Sequence, residues 1–345
     1  MKKKWEYKYP ERLVSAMVSE DYVLVGANLY FVHMTNGNYP KAGIYCVNAE
    51  TGEAKAVFET TDFLRVIGEF DGSCFYFTSL RGTAYCVTKE GEVLWKKQLG
   101  EKAGAADWNI VLEQDRLYMA QDALYCLDPK SGATIWANDE RGFGSNCTIL
   151  AEDNYIYHAK SGKHLYCVDK TTVNTIWTYG DEEWCRSVVS VDAKILCYLN
   201  THGKYLFLNK QDGHLIREVK AGGKLMRQPL MIDGTLLVGE NLQPSGGRMV
   251  RYEVDKDYNL KALFEVPAAS AVTSEAVVVG DRLYFGTEDG SVYCVNKDTG
   301  EAIEKKKKVK GACRSIVPYG GGILALSDKG PAAAFVYPRG RDAKR

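Results

Sequence analysis

The chain has 345 residues, of which 46% are hydrophobic and 26% charged, with 44 basic and 44 acidic side chains. This balance gives no overall attraction to nucleic acid or to an anionic membrane, so we expect neither as a partner. No run approaches the roughly 18 consecutive apolar residues of a membrane span, whereas the chain exceeds the roughly 250 to 300 residues of a single core. The sequence therefore predicts either two domains or one modular array.

The N-terminal segment, MKKKWEYKYPERLVSAMV, begins with basic residues but lacks the unbroken apolar stretch of a signal peptide. The ten cysteines include no CxxC pair and no Cys/His cluster with zinc spacing, and they suit a reducing compartment. We therefore expect a cytoplasmic protein without a bound metal or cofactor.

One segment returns along almost the whole chain and is plainest at residues 124–136, LYCLDPKSGATIW. Aligned on its cysteine, the copies place these residues at one position: Cys46, Cys86, Cys126, Cys167, Phe207, Glu253 and Cys294, with an eighth copy near Phe335. A period of about 40 residues, made of short β-rich runs between turns, is typical of a β-propeller with one four-stranded blade per repeat. The sequence predicts an all-β, eight-bladed propeller that forms a single domain over residues 1–345.

In chain order, residues 1–9 come first and seven complete four-stranded units follow. In the seventh unit, the predicted strands A, B and C are residues 276–279, 283–286 and 292–296, and strand D follows Gly300. An eighth unit, residues 314–337, lacks its fourth strand and runs into a basic tail at 339–345. Residues 1–9 are predicted to pair with 332–336 and close the ring, which would remove the open strand edges.

The run LDPKSGATIW at residues 127–136 resembles the tryptophan-docking repeat of the pyrroloquinoline-quinone-type propellers, and Asp169 with Trp177 repeats part of it. The resemblance covers essentially the whole chain and implies eight blades, with each tryptophan packed against the neighbouring blade. Under this resemblance, the structural tryptophans are Trp5, Trp95, Trp136 and Trp177. The family includes quinone-dependent dehydrogenases with bound calcium and noncatalytic scaffolds that bind other proteins.

The two faces of a propeller carry different connections. The A–B and C–D turns lie on one face, here called the turn face, and the B–C and D–A connections lie on the other, the loop face. The longer and more varied connections of this chain belong to the loop face. Binding sites favour variable loops on a rigid scaffold, so we expect the functional site there.

One position at the start of each innermost strand lies at the loop-face mouth of the predicted central channel. The eight repeats place these residues there: Asp21, Arg65, Asn109, Cys147, Arg186, Arg227, Glu275 and Arg314. Four arginines in one ring predict a receptor for carboxylate or phosphate, and Trp108 and Trp184 are predicted to add a flat apolar wall. Alternatively, the arginines pair with Asp21 and Glu275, and both interpretations remain open.

These observations favour a noncatalytic cytosolic scaffold that binds a protein partner through the loop face. The alternative is a receptor for a small anionic or aromatic ligand at the arginine-lined mouth, and a quinone-dependent dehydrogenase is a remote third. Asp21, Asn109 and Glu275 are chemically able to ligate calcium. However, the chain lacks the adjacent Cys-Cys pair of those dehydrogenases, and no catalytic residue is assigned.

Overall fold

The computed structural model describes residues 2–6, 18–33, 41–64, 68–79, 81–100, 110–138, 149–160, 164–180, 183, 185–225, 227–242, 244–320, 322–328 and 333–336. Within these ranges every regular element is a β-strand, which confirms the predicted all-β class. The same ranges contain no helix that is long and apolar enough to cross a membrane.

The first four blades follow the N-terminal strand β1 (Lys2–Glu6). Blades one and two consist of β2 (Val18–Val25), β3 (Asn28–His33), β4 (Ala42–Asn48), β5 (Ala54–Thr60), β6 (Glu69–Phe70), β7 (Cys74–Thr78), β8 (Thr83–Thr88) and β9 (Val93–Gln98). Blades three and four consist of β10 (Ile110–Glu113), β11 (Arg116–Ala120), β12 (Leu124–Leu127), β13 (Thr134–Asn138), β14 (Leu150–Glu152), β15 (Tyr155–Lys160), β16 (His164–Asp169) and β17 (Thr175–Gly180).

The remaining strands follow the same order from the channel outward. Blades five and six consist of β18 (Cys185–Ser190), β19 (Ile195–Asn200), β20 (Lys204–Asn209), β21 (Leu215–Lys220), β22 (Lys224–Leu225), β23 (Leu230–Ile232), β24 (Thr235–Asn241), β25 (Gly247–Val254) and β26 (Leu260–Ala268). The last strands are β27 (Val277–Val279), β28 (Arg282–Gly286), β29 (Ser291–Asn296), β30 (Ala302–Lys308), β31 (Cys313–Tyr319), β32 (Gly322–Ser327) and β33 (Ala333–Val336).

The described strands form separate antiparallel sheets, seven of them built from consecutive strands and one that combines β31–β33 with β1. Among the seven, the sheet β22–β26 has five strands, because β22 and β23 both pair with β24. Pro229 lies between these two short strands and has no N–H with which to continue the ladder. The predicted fold class of eight blades with four strands each therefore needs correction: seven sheets are continuous blades, one of these is five-stranded, and the remaining sheet is composite.

The composite sheet joins the two ends of the chain. Strand β1 pairs antiparallel with β33, from Lys2 opposite Val336 to Glu6 opposite Ala333, which confirms the predicted pairing of the N-terminal strand. Leu29 of blade one also packs in one buried cluster with Leu324 and Leu326 of the composite sheet. Backbone pairing thus joins the two ends of the chain within the composite sheet, and apolar packing connects that sheet with blade one. The side chain of Trp5 lies outside the described residues.

The core lies between blades. Strands β7 and β19 are buried at every residue, whereas outer strands such as β9 alternate between exposed and half-buried residues. One buried cluster, for example, combines Tyr118 and Cys126 of blade three with Ile156 and Val168 of blade four. Because each blade buries its two faces against its neighbours, the blades stabilise one another.

The strand register corrects one position of the repeat alignment. In blade seven Cys294 pairs with Tyr284, the third residue of its strand, and in blade six the third residue of β24 pairs with Arg251. In the composite sheet the equivalent residue is Ala334. The predicted equivalent Glu253 was therefore wrong, whereas the eighth copy does lie near Phe335, at the adjacent residue. In blade six the sequence alignment followed the C–D turn, and the strand before that turn is two residues longer than in blade seven.

Two tryptophans join successive blades as the sequence predicts. Trp95 of blade two donates from Nε1 to the carbonyl oxygen of Pro129 at 2.8 Å, in the C–D turn of blade three. Gly132 of that turn has φ +69°, and a Cβ on it would lie 2.7 Å from the Trp95 ring. The turn glycine is needed both for its positive φ and for the close approach of the ring.

Trp177 repeats this contact between blades four and five. Its Nε1 donates to the carbonyl oxygen of Lys210 at 2.8 Å, and a Cβ on Gly213 would lie 2.5 Å from the ring. Gly213 has φ +71°, almost the value of the equivalent glycine in blade three. The two contacts therefore share one geometry, which we call the docking contact.

Between blades six and seven the docking contact uses two residues in place of one tryptophan. The ring of Phe264 occupies the space where a Cβ on Gly300 would lie, at 2.6 Å. Its cross-strand partner Arg251 donates from Nη1 to the carbonyl oxygen of Lys297 at 2.8 Å and to Oδ1 of Asp298 at 2.7 Å. Phe264 supplies the ring and Arg251 supplies the hydrogen-bond donor, so the contact persists where the tryptophan is lost.

Blade four departs from this pattern at its C–D turn. Val173 has φ +63° at the position that Gly132 and Gly213 occupy in the neighbouring turns. A left-handed backbone costs an L-residue roughly 1–2 kcal/mol, and β-branching makes that conformation rarer still. Asn138 holds this turn by donating from Nδ2 to the Val173 carbonyl oxygen at 2.9 Å.

We expect deletion of residues 1–9 to lower the melting temperature by roughly 10 °C or more, because it removes the strand that pairs with β33 and leaves an open edge. Thermal unfolding followed by circular dichroism measures this effect. Deletion of residues 339–345, which belong to no described strand, is the control and should leave the transition in place. An unchanged transition in the first deletion would contradict closure by β1.

Two opposite substitutions test the docking contact. Gly213→Val should lower the free energy of unfolding by at least about 2 kcal/mol, because it adds left-handed strain and places an isopropyl group against Trp177. Val173→Gly should leave stability unchanged or raise it by up to about 1 kcal/mol, since relief of strain exceeds the added entropy of the unfolded chain. Urea unfolding measures both. Losses of equal size in the two variants would show that the turn conformation is not the reason for the glycine.

Candidate functional site

The structure describes the side chains of only three of the predicted ring residues. Arg227 follows β22, Glu275 precedes β27 and Arg314 is the second residue of β31, all in innermost strands or their loop-face connections. Asp21 and Arg186 lie in β2 and β18, where only their backbone is described. The other predicted residues lie outside the described ranges: Arg65, Trp108, Asn109, Cys147 and Trp184.

The three described ring residues lie close enough to interact. Burial, and after it the positive charge of Arg314, lower the pKa of Arg227 against the opposing effect of the Glu275 carboxylate, and the result is a pKa of about 10. These residues come from blade six, blade seven and the composite sheet, so three consecutive ring positions share one electrostatic environment. The arrangement brings the two guanidinium groups and the carboxylate of Glu275 together at the mouth of the channel.

An acid that the sequence analysis missed holds Arg314 in place. Arg314 donates to Oδ2 of Asp328 from Nε at 3.2 Å and from Nη2 at 2.8 Å. The other oxygen of Asp328 accepts the backbone N–H of Ala312 at 3.0 Å. Asp328 follows the second strand of its sheet and lies opposite the start of the innermost strand. Antiparallel pairing alone brings it to the ring, and the alignment of innermost strands did not include it.

The cysteines near the mouth are packing residues. Cys185 and Cys313 are buried, and burial raises the pKa of the Cys313 thiol to about 12. A Cβ on Gly286 would lie 2.4 Å from the Cys313 sulfur, so the thiol fills the space between blade seven and the composite sheet. A thiol held protonated and without solvent contact is a poor nucleophile.

The described residues of the mouth do not suit a calcium ion. Of the three possible ligands, only Glu275 has a described side chain, and its carboxylate acts on the guanidinium of Arg227. Two nearby guanidinium groups repel a divalent cation and compete for that carboxylate. Within the described ranges, no group of three or more His, Cys, Asp or Glu side chains is placed to hold a metal ion.

A second buried charge cluster lies near the loop face, between blades five and six. Glu240 is fully buried and accepts hydrogen bonds from Nε and Nη2 of Arg248, at 2.8 Å and 2.6 Å. The hydroxyl groups of Tyr205 and Tyr252 donate to its other oxygen at 2.9 Å and 2.7 Å. Both carboxylate oxygens are therefore satisfied, and the cluster joins the two blades rather than forming a site.

One protein-family model matches the sequence of this chain. The family model described as outer membrane protein assembly factor BamB, which consists of pyrroloquinoline-quinone-type repeats, matches residues 80–306. The chain belongs to this family. The match confirms the resemblance that the tryptophan-docking repeat indicated. No curated protein matches the sequence of this chain.

Solved structures with the same fold differ widely in function. BamB from Moraxella catarrhalis superposes with a TM-score of 0.66 at 14% identity, over 92% of this chain and 96% of that chain. Saccharomyces cerevisiae Sqt1 gives 0.73 at 10% identity, over 98% and 100%. A europium-containing methanol dehydrogenase gives 0.66 at 13% identity, over 96% and 85%. At these identities the comparison establishes the propeller fold, and the propellers that share it include an enzyme.

A double-mutant cycle tests whether Asp328 holds Arg314. Asp328→Asn should cost about 1–2 kcal/mol of unfolding free energy, and less than that in an Arg314→Met background, because the half-buried pair is then already broken. Urea unfolding of the four proteins gives the coupling energy. The exposed pair Lys261–Glu253, 3.6 Å apart, is the control and should show a coupling near zero. Equal couplings for the two pairs would contradict the anchoring role of Asp328.

Proposed function

We propose that this protein is a noncatalytic propeller scaffold that binds a protein partner through its loop face. The observation that carries the proposal is the charge cluster at the mouth of a rigid ring, in which Arg227 is influenced by Glu275 and Arg314, and Arg314 pairs with Asp328. A partner that supplies a carboxylate there offsets the repulsion between the two guanidinium groups. Membership of the family described by an outer membrane assembly factor, together with the BamB and Sqt1 folds, supports a binding role.

We also propose that the protein acts in a reducing compartment such as the cytoplasm. The nine described cysteines are all buried thiols that form no disulfide, which supports this proposal because secreted proteins commonly join their cysteines in disulfides. Equivalent positions such as Cys86 and Cys126 belong to separate blades, and burial raises the pKa of these two thiols to about 12 and about 11.

A second candidate is a receptor for a small anion, because two guanidinium groups also suit a free carboxylate or phosphate. A protein partner and a small anion would both bind Arg227, but only a protein partner would also contact the surrounding loops. A quinone-dependent dehydrogenase is the third candidate, and the guanidinium beside Glu275 weighs against its calcium ion.

Affinity capture from cell extract tests the first candidate. We expect a stoichiometric protein that binds the wild-type chain and is lost on Arg186→Ala with Arg227→Ala, since these changes remove positive charge from the channel mouth. The matched control is Lys130→Ala with Lys256→Ala, which removes the same charge from exposed C–D turns on the turn face and should preserve capture.

Two other results would change the assignment. Loss of a captured protein in the turn-face variant, with retention in the channel-mouth variant, would contradict the loop face as the binding surface. Calorimetric binding of citrate or phosphate, abolished by the channel-mouth variant in the absence of any captured protein, would favour the small-anion receptor. Dye reduction with alcohols after incubation with pyrroloquinoline quinone and calcium would establish the dehydrogenase.

A further inference from the structure

A groove lies at the outer rim between blades one and two. It consists of two adjoining cavities of about 470 Å³ and 440 Å³, which share Thr60, Tyr85 and Lys96 in their walls. The groove follows the outer strand β9 from Val93 to Gln98 and reaches the loop face at its Gln98 end. It is separate from the channel mouth, where the ring residues lie.

The loop-face end of the groove has an excess of positive charge, because Arg81, Lys96 and Lys97 line it together with one acid, Asp62. Arg81 and Lys96 are exposed, and neither forms an ion pair with a carboxylate of the described residues. The guanidinium carbon of Arg81 lies 5.0 Å from the ring centroid of Phe63, which is itself 41% exposed. This contact presents the guanidinium together with an aromatic surface, a combination that is enriched at protein interfaces.

The acids nearest to these cations are already engaged. Asp62 accepts the hydroxyl hydrogen bond of Tyr85 at 2.8 Å, and Glu59 accepts that of Tyr45 at 2.7 Å and lies 3.5 Å from Lys41. Among the described residues no ion pair joins either carboxylate to Arg81 or Lys96, so the two cations can bind a charged ligand.

The other end of the groove is apolar. Val93 and Leu94 are 41% and 51% exposed, and Phe58 and Trp95 complete the wall beside them. The groove therefore changes from apolar to cationic along one strand of six residues, a length of roughly 20 Å at about 3.3 Å per residue. An extended peptide of five or six residues spans this distance.

Other blades neutralise the corresponding positions. The turn position of Arg81 is Asp289 in blade seven, which lies 3.2 Å from Lys308 of the outer strand. In blade five the same position is His202, whose Nδ1 lies 2.7 Å from Glu183. Arg81 and Lys96, which form no ion pair within the described residues, therefore distinguish blade two from these blades. Their charge indicates a ligand from outside the chain.

We propose that this groove docks an extended segment of a partner protein in which an acidic residue stands beside an apolar one. The carboxylate binds Arg81 and Lys96, and the apolar side chain covers Val93 and Leu94. Charge complementarity selects the acidic segment, since Asp62 is one acid among Arg81, Lys96 and Lys97, and a basic or neutral segment would bury this excess of positive charge without offsetting it. The surface goes beyond the proposed function, because it adds a second binding region with its own chemistry.

Selection from a phage-displayed library of random ten-residue peptides tests this proposal. We expect enriched peptides to carry Asp or Glu next to Leu, Ile or Phe, and a fluorescein-labelled peptide of the enriched sequence to bind in solution. Arg81→Gln with Lys96→Gln should weaken its binding at least tenfold, and Arg81→Glu with Lys96→Glu should shift selection toward basic peptides. Leu94→Ser should also weaken binding while leaving the acidic preference intact.

Lys305→Gln is the matched control, because this exposed lysine occupies the D-strand position of Lys96 in blade seven and should bind the peptide like the wild type. Selection without acidic enrichment, or equal binding by the groove variant and the control, would overturn the proposal. The channel-mouth variant Arg186→Ala with Arg227→Ala should retain peptide binding. Failure of this proposal is thereby distinguished from failure of the loop-face function.

Discussion

The docking contact between an outer strand and the next C–D turn is the interaction on which the ring depends. Each blade is a small sheet that cannot bury both of its faces alone, so its stability comes from its neighbours. The docking contact fixes the spacing between neighbouring blades. An aromatic side chain of one blade packs against a turn glycine of the next, and a side-chain donor forms a hydrogen bond with a carbonyl oxygen of that turn. Phe264 and Arg251 reproduce both parts of it without a tryptophan. What the fold preserves is this geometry, while the residue that supplies it varies.

The sequence predicted the parts of the fold that repeat. Turn residues and the 40-residue period gave the blade order, and the incomplete last unit led to the correct partner for β1. It did not predict the divided innermost strand around Pro229 or the equivalence of Arg251 with the cysteines. Both depend on register within one irregular blade, and a pattern averaged over repeats cannot detect a change of two residues in one hairpin.

The candidate site was likewise predicted only in part from the sequence. Alignment of the repeats predicted that Arg227, Glu275 and Arg314 lie in one ring, and the charges of Glu275 and Arg314 both act on Arg227. Asp328 escaped prediction because it reaches the ring by cross-strand pairing, from a different strand position. The groove of Arg81 and Lys96 escaped because its walls come from two blades, and single charged residues on a turn and an outer strand carry no motif.

The docking contacts hold the blades of this chain together, while the charge cluster lies apart from them at the loop-face mouth of the channel. Hydrogen–deuterium exchange with and without the captured partner tests this account most directly. It predicts protection of the loop-face segments 221–229 and 309–314, with no change in the C–D turns at 128–133 and 296–301. Protection confined to those turns would contradict the loop face as the binding surface.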